Sequence, residues 1–375
     1  MTHLLELNNY QSMADKNPAN TTTVLFVLLG LPNTPQLRCV SFVVFFSIYL
    51  MTLCGNLIIL IAIVSDSRLH TPMYFFLANL SFLEMCYTTV TLPNILNNIV
   101  KQSNFISFQA CFCQVYLFTF CATFECVLLA IMAYDRYVAI CIPLRYKIIM
   151  NQAMCFQLGS TPWIMGTLNS IIQSLPTSLL PYCGVNKIDR LYCEVQPLLQ
   201  LSCSETTLNK MLTTASASLF GIGFMTFILV TYIFIVSAIL RIPSLSGRLK
   251  AFSTCSSHIT VVIMYYGALI FMYLRPTSSD SWGSDSVISA MYCMVIPVLN
   301  PIIYSLRNKE VKRTDFENGK NNTDIRGKDE QKGTSDHNRS FGEDDQLIDG
   351  DVRAGEFEER HHVTQIMVDL VGPTV

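Results

Sequence analysis

Four ionisable side chains lie inside long apolar stretches of this chain: Glu84, Glu125, Asp135 and Arg136. Charge is costly in such surroundings, so each is a functional candidate. Asn56 and Asn300 add two amides in similar settings. Glu125 and Arg136 are 11 residues apart, about three helical turns, so on a helix they share one face roughly 16 Å apart. That face must look away from lipid. If Glu84 approaches Glu125, two carboxyls in a low-dielectric site do not both ionise freely. Either they share a proton or they bind a cation such as sodium. The plainer reading is two protonated acids in structural hydrogen bonds. Asp135-Arg136-Tyr137, taken in isolation, reads as an interfacial ion pair at the end of its stretch.

The elements that must position these groups follow from composition. Hydrophobic residues make up 51% of the 375 and charged residues only 14%, against about a quarter in soluble domains. The mean hydropathy is +0.40. A soluble fold of this size has more polar surface than this chain can supply, so lipid must cover much of it. A spanning helix needs about 20 apolar residues. Seven stretches qualify, at 39–64, 73–99, 111–140, 155–176, 208–240, 252–274 and 284–305. The expected fold is an all-α membrane protein, a seven-transmembrane helix bundle. Residues 1–38 are expected to form an extracellular segment, 39–312 the seven-transmembrane domain and 313–375 a cytoplasmic tail. No apolar core of a signal peptide is visible in the first 23 residues, so the first span is expected to act as the targeting signal.

With the N-terminus outside, cytoplasmic segments hold eleven Lys and Arg and outer segments seven, the bias the positive-inside rule requires. The acceptor sequence Asn20-Thr21-Thr22 is then glycosylatable, whereas those at Asn321 and Asn338 face the cytosol. The cysteine-bearing loop 177–207 also falls outside. Residues 314–375 carry a balance of −8 and leave +6 on the rest, for a total of −2. The tail is rich in Asp, Glu, Asn, Gly and Ser, a composition that reads as disordered. Basic residues are spread over short loops, which gives no reason to expect nucleic-acid binding. Most of the 14 cysteines, such as Cys54 and Cys86, sit in apolar runs as small hydrophobes. Cys111, Cys183, Cys193 and Cys203 could be disulfide-bonded if they face an oxidising compartment.

Four long motifs occur in order. Met132-Ala133-Tyr134-Asp135-Arg136-Tyr137-Val138-Ala139-Ile140-Cys141 resembles the third-helix signature of olfactory receptors, a branch of the rhodopsin-like G-protein-coupled receptors. Leu69-His70-Thr71-Pro72-Met73-Tyr74-Phe75-Phe76-Leu77 resembles their second-helix opening. Lys250-Ala251-Phe252-Ser253-Thr254-Cys255-Ser256-Ser257-His258 is similar to the sixth-helix entry. The run from Pro297 through Asn300-Pro301 to Tyr304 and Asn308 is similar to the seventh-helix end, and Gly55-Asn56 to the first-helix motif.

The resemblance, over about residues 20–312, implies a receptor at the plasma membrane. Its partners would be a small lipophilic odorant and a heterotrimeric G protein of the stimulatory olfactory type, which raises cyclic AMP. It implies no cofactor beyond the sodium ion considered at Glu84 and Glu125. Arg136 would be the switch, held by Asp135 within the Asp135-Arg136-Tyr137 motif, with Tyr232 and Tyr304 rearranging beside it. Asn300 and Pro301 belong to the same machinery, Pro301 as a kink. Cys111 would bond Cys193, and Cys183 would bond Cys203. The ligand would meet Thr119, Ala122, Thr123 and Cys126 on the third helix, Ser216 and Phe220 on the fifth, and Tyr266 and Tyr273 on the sixth. The third-helix set shares one face, and the site as a whole is mostly apolar with a few hydroxyls.

Two departures stand out. The outer-loop stretch Asp189-Arg190-Leu191-Tyr192-Cys193-Glu194 lacks the His common in the family, and the acidic tail replaces a short basic end. Other classes are disfavoured. A retinal pump needs a seventh-helix lysine, and 284–305 has none. A transporter more often shows internal repeats. Nothing resembles a hydrolase or zinc motif, so the chain is expected not to be an enzyme.

Overall fold

The computed structural model describes residues 25–30, 34–102, 104–183, 186–188, 190–274 and 294–303, with side chains from 271 to 274 excepted. Asn20, Tyr304 and the tail 313–375 lie outside the described residues, as does the Tyr273 side chain.

Six predicted spans are helical throughout, and the seventh is helical over its described residues. Helix α1 is Pro35–Ser65, α2 is Pro72–Lys101, α3 is Phe108–Cys141 and α4 is Gln152–Ser178. Helix α5 runs Thr207–Leu240, α6 Leu245–Leu274, and the described part of α7 is Met294–Ile303. Proline at the first turn starts α1 and α2, where its missing N–H costs nothing. Side-chain caps start the next two: Ser107 Oγ accepts from the Ala110 N–H, and Asn151 Oδ1 from the Met154 N–H.

Helices α1, α2, α3, α5 and α6 are long and apolar enough to cross a membrane. Large apolar side chains such as Val40, Ile61, Leu229 and Ile233 are exposed on α1 and α5, as helices facing lipid require. Helix α4 is less apolar because one stripe of it is polar and faces inward: Asn169, Gln173 and Thr177 are buried. Helix α3 is the hub, packing on α2, α4, α5 and α6, and its middle turns are buried almost all round.

Where α3 begins, three short strands close that end of the bundle. Strand β1 (Leu25–Leu28) pairs antiparallel with β2 (Phe105–Ser107) and parallel with β3 (Lys187–Ile188). Phe26, Leu28 and Ile188 are fully buried there beside Phe112 and Val115. The Phe26 ring meets Tyr182 edge-on, with centroids 5.4 Å apart. Disulfides join Cys111 to Cys193 and Cys183 to Cys203, the pairing expected of the family. Gln114 adds a polar tie: its amide N–H donates to the Val90 carbonyl, and its oxygen accepts from the Cys193 N–H at 2.9 Å. One carboxylate oxygen of Glu194 is buried without a partner. Burial pushes this carboxyl above its ordinary range, against the opposing pull of Arg190 and a hydrogen bond from Tyr192.

Two outcomes are expected. Phe26→Ala should cost about 3–5 kcal/mol, seen as a lower thermal midpoint of purified receptor and poorer surface delivery; an unchanged midpoint would contradict the buried-strand account. Because the folded state raises the Glu194 pKa, it holds that proton more tightly than the unfolded chain. Its stability therefore falls as pH rises through the carboxylate range. Glu194→Gln should flatten that fall and raise the midpoint at neutral pH, as thermal melts across a pH series would show.

Candidate functional site

The predicted site residues gather on α3 at three levels. Nearest the sheet, Thr119, Ala122, Thr123 and Cys126 share a face. Thr123 Oγ1 donates to the Thr119 carbonyl at 2.8 Å and accepts from Asn169 Nδ2 at 2.8 Å. Ser216 Oγ donates to Asn169 Oδ1 at 2.9 Å. Tyr265 Oη donates to the Ala122 carbonyl at 2.9 Å and lies 3.1 Å from Cys126 Sγ. Tyr266 is buried, with its hydroxyl beside the Cys126 thiol. Phe220 stacks on Phe224 with centroids 5.9 Å apart.

Phe220 sits in a π-helical stretch, Ala217–Gly223, that interrupts α5. Such bulges recur at functional sites because the extra residue turns the following side chains. Above this level the loop lowers Tyr192, fully buried, onto Phe118, with centroids 4.9 Å apart. An open groove of about 470 Å³ lies instead on the exposed face of α5, between Thr207 and Ser218. It is separate from this α3-centred set.

The middle level collects amides and acids. Asn300 Nδ2 donates to Glu84 Oε1. Asn56 Nδ2 donates to the Thr52 carbonyl at 3.1 Å and the Pro297 carbonyl at 3.4 Å. Asn56 Oδ1, Glu84 Oε2, Glu125 Oε1 and Asn300 Oδ1 are all buried and without partners. These four oxygens are acceptors, and leaving them bare in hydrocarbon is costly. Donor oxygens of this kind suit a hard cation or added protons. Close packing brings α7 here: a Cβ built on Gly55 would lie 3.0 Å from Pro301 Cβ, so a side chain there would press on that ring.

At the third level, farthest from the sheet, Asp135 and Arg136 are both buried. Arg136 Nη2 lies 3.5 Å from Asp135 Oδ2, and Tyr146 Oη donates to Asp135 Oδ1 at 2.8 Å. Burial, and secondly the Asp135 charge, push the Tyr146 phenol well above its ordinary range, so it remains a donor. Tyr137 meets Phe234 edge-on at 6.2 Å. His258 is buried and joins three helices. Its Nε2 lies 3.1 Å from the Leu129 carbonyl, and its Nδ1 lies 2.7 Å from Tyr232 Oη. A carbonyl only accepts, so Nε2 carries the hydrogen; in the neutral ring Nδ1 then accepts from the tyrosine.

Sequence reasoning missed Asn169, Tyr265, Tyr192 and Tyr146 as site residues and read His258 only as part of a motif. The spacing Asn169, Gln173, Thr177 was a visible signal for a polar stripe. Nothing comparable marked Tyr146.

A family model described as olfactory receptor matches residues 45–316. The mouse protein "Olfactory receptor 8U9" is 48% identical over 292 residues, covering 78% of this chain and 93% of that one. The human "Olfactory receptor 13D1" is 46% identical over 308 residues, covering 82% and 86%. Among solved structures, squid rhodopsin superposes with a TM-score of 0.62 at 15% identity, covering 76% of this chain and 80% of that one, a likeness of fold. With these matches and the buried Asp135-Arg136 pair in place, the chain belongs to the olfactory receptor family of G-protein-coupled receptors, a family of multi-pass membrane receptors and not of enzymes.

Proposed function

We propose that this receptor sits in the plasma membrane with the sheet end outside, binds a small lipophilic odorant between α3, α5 and α6, and activates a stimulatory olfactory-type G protein to raise cyclic AMP. The observation that carries the reading is the pair of closed polar clusters at the far end of α3. One holds Arg136 beside Asp135 and Tyr146. The other joins α3, α5 and α6 through Leu129, Tyr232 and His258. The two cystines and the Asn20 acceptor sequence support the orientation, because each needs the oxidising, glycosylating side.

An odorant that contacts α6 better in one arrangement shifts the population towards it. The proposed change is an outward swing of the end of α6 that bears His258. That motion parts His258 from Tyr232 and frees Arg136 from Asp135. Arg136 then faces the cleft into which the G protein's terminal helix fits. The mostly apolar wall of Ala122, Cys126 and Phe220 favours a neutral ligand. At the middle level, Asn56, Glu84, Glu125 and Asn300 would hold a sodium ion through their unpartnered oxygens. A bound cation there supplies positive charge that ties α1, α2, α3 and α7 in the resting arrangement. The tail after Lys312 is proposed to be cytoplasmic.

Three measurements bear on this reading. Arg136→Ala should abolish the cyclic AMP response to an odorant panel while leaving surface staining within about twofold; a normal response would refute its role. His258→Phe removes both of its hydrogen bonds, each worth about 1 kcal/mol, and should raise ligand-free signalling severalfold. Basal signalling at the wild-type level would contradict the latch. Replacing sodium with a bulky organic cation should raise basal signalling in the wild type but not in Glu84→Gln. Equal sodium sensitivity in both would remove the ion from that site.

A further inference from the structure

The polar stripe of α4 is a ladder against α5. Asn169, Gln173 and Thr177 recur every four residues, hence on one face, and all three are buried. Ser216 Oγ donates to Asn169 Oδ1 at 2.9 Å, and Thr213 Oγ1 donates to Gln173 Oε1 at 2.9 Å. Gln173 Nε2 donates to the Leu212 carbonyl at 3.0 Å, and Asn209 Nδ2 to Thr177 Oγ1 at 3.4 Å. The rungs rise along α4 from Asn169 to Thr177 as their partners fall along α5 from Ser216 to Asn209, so the two helices are pinned antiparallel in one register. The Asn169 rung also reaches a third helix, because Asn169 Nδ2 donates to Thr123 Oγ1 on α3.

That geometry fixes where the protons go. A hydroxyl has one hydrogen and two lone pairs. Thr123 gives its hydrogen to the Thr119 carbonyl, and Ser216 gives its own to Asn169. Both oxygens are left with lone pairs alone to offer a ligand. On α6, the buried Tyr266 hydroxyl lies beside the Cys126 thiol, a weak acceptor, and remains able to donate to a stronger one.

We propose that Asn169 is a specificity-determining residue that makes the α3–α5 wall of the ligand site an acceptor of hydrogen bonds, so that the receptor selects alcohols and phenols over ketones and ethers of the same skeleton. This rests on the reading that the odorant lies between α3, α5 and α6. A ligand hydroxyl donates to Ser216 or Thr123 and accepts from Tyr266. A carbonyl or ether oxygen only accepts, and against the wall it sets lone pair against lone pair. One additional hydrogen bond corresponds to a preference of about three- to tenfold. Without the Asn169 oxygen, the Ser216 hydrogen is released and the wall gains a donor.

The test is binding to the purified full-length receptor, read as the probe-dependent rise in thermal midpoint, which does not depend on G-protein coupling. The probes are matched medium-chain alcohols, ketones and methyl ethers. The wild type should bind the alcohols about three- to tenfold more tightly. Asn169→Leu should bring that ratio close to one, and Asn169→Asp, which keeps an acceptor for Ser216, should preserve it. Should Asn169→Leu fail to fold, Ser216→Ala removes the same wall oxygen and should lose the alcohol preference as well. Equal or ketone-favouring binding by the wild type, no binding of any probe, or an alcohol ratio that survives both Asn169→Leu and Ser216→Ala would overturn the proposal. Phe220→Ala separates the two levels of inference. If it weakens every probe while the ratio ignores Asn169, the ligand's location stands and the specificity claim falls; if neither change alters binding, the location falls too.

Discussion

In hydrocarbon no water is present to satisfy a polar atom, so every polar side chain of the spanning helices must find its partner inside the bundle. This constraint organises the receptor around α3. At each level of that helix a polar group reaches a different neighbour: Thr123 meets α4 through Asn169, and Leu129 meets α6 through His258. Asp135 meets the following loop through Tyr146. The apolar residues between these rungs, such as Phe124, Leu128 and Ile131, fill the space around them. Packing fixes the distances, and the polar contacts choose among the arrangements that packing permits.

The same constraint explains how a small ligand can move a large helix. Interhelical hydrogen bonds in membranes are individually modest, averaging about 0.6 kcal/mol where measured. A latch of two or three such bonds holds a resting state without making it permanent. Differential contact with a ligand of a few kcal/mol is then enough to change which state dominates. The sheet end differs. There β1, two cystines and the aromatic cluster of Phe26, Phe108, Phe112 and Tyr182 build a fixed cap. On the proposed reading, the cross-linked sheet end stays in place while the polar contacts at the other end part.

Much of this was legible in the sequence, because the governing patterns are long or chemically unambiguous. For the first six spans, apolar runs that must span lipid gave helices within a few residues of those observed, save that α6 begins at Leu245, seven residues before the predicted 252; the ends of the seventh lie outside the described residues. The first turns of α6 carry Arg248 and Lys250 and so lack the apolar signal. The burial of Asp135, Arg136, Glu84 and Asn300 followed from placing costly groups on inward faces, whereas the bond from Asn300 to Glu84 did not. Tertiary partnerships were not legible. Tyr146 reaches Asp135 only because the loop after α3 folds back, and Tyr265 rather than Tyr266 bonds α3 because of the rotation of α6. The π-helical turn at Ala217–Gly223 left no periodic mark, since one extra residue in a continuous apolar run does not change its hydropathy.

The central claim is that α6 is held to α3 and α5 by a polar latch that an odorant releases. The most direct measurement is the distance between noncanonical spin labels at Lys147, in the loop after α3, and Leu249, near the start of α6, in receptor reconstituted into lipid nanodiscs. The account predicts a single short distance without ligand, and a second, longer population that grows when an activating odorant is added and is already present in His258→Phe. A distance distribution unchanged by an odorant that demonstrably activates the receptor, or identical in wild type and His258→Phe, would contradict it.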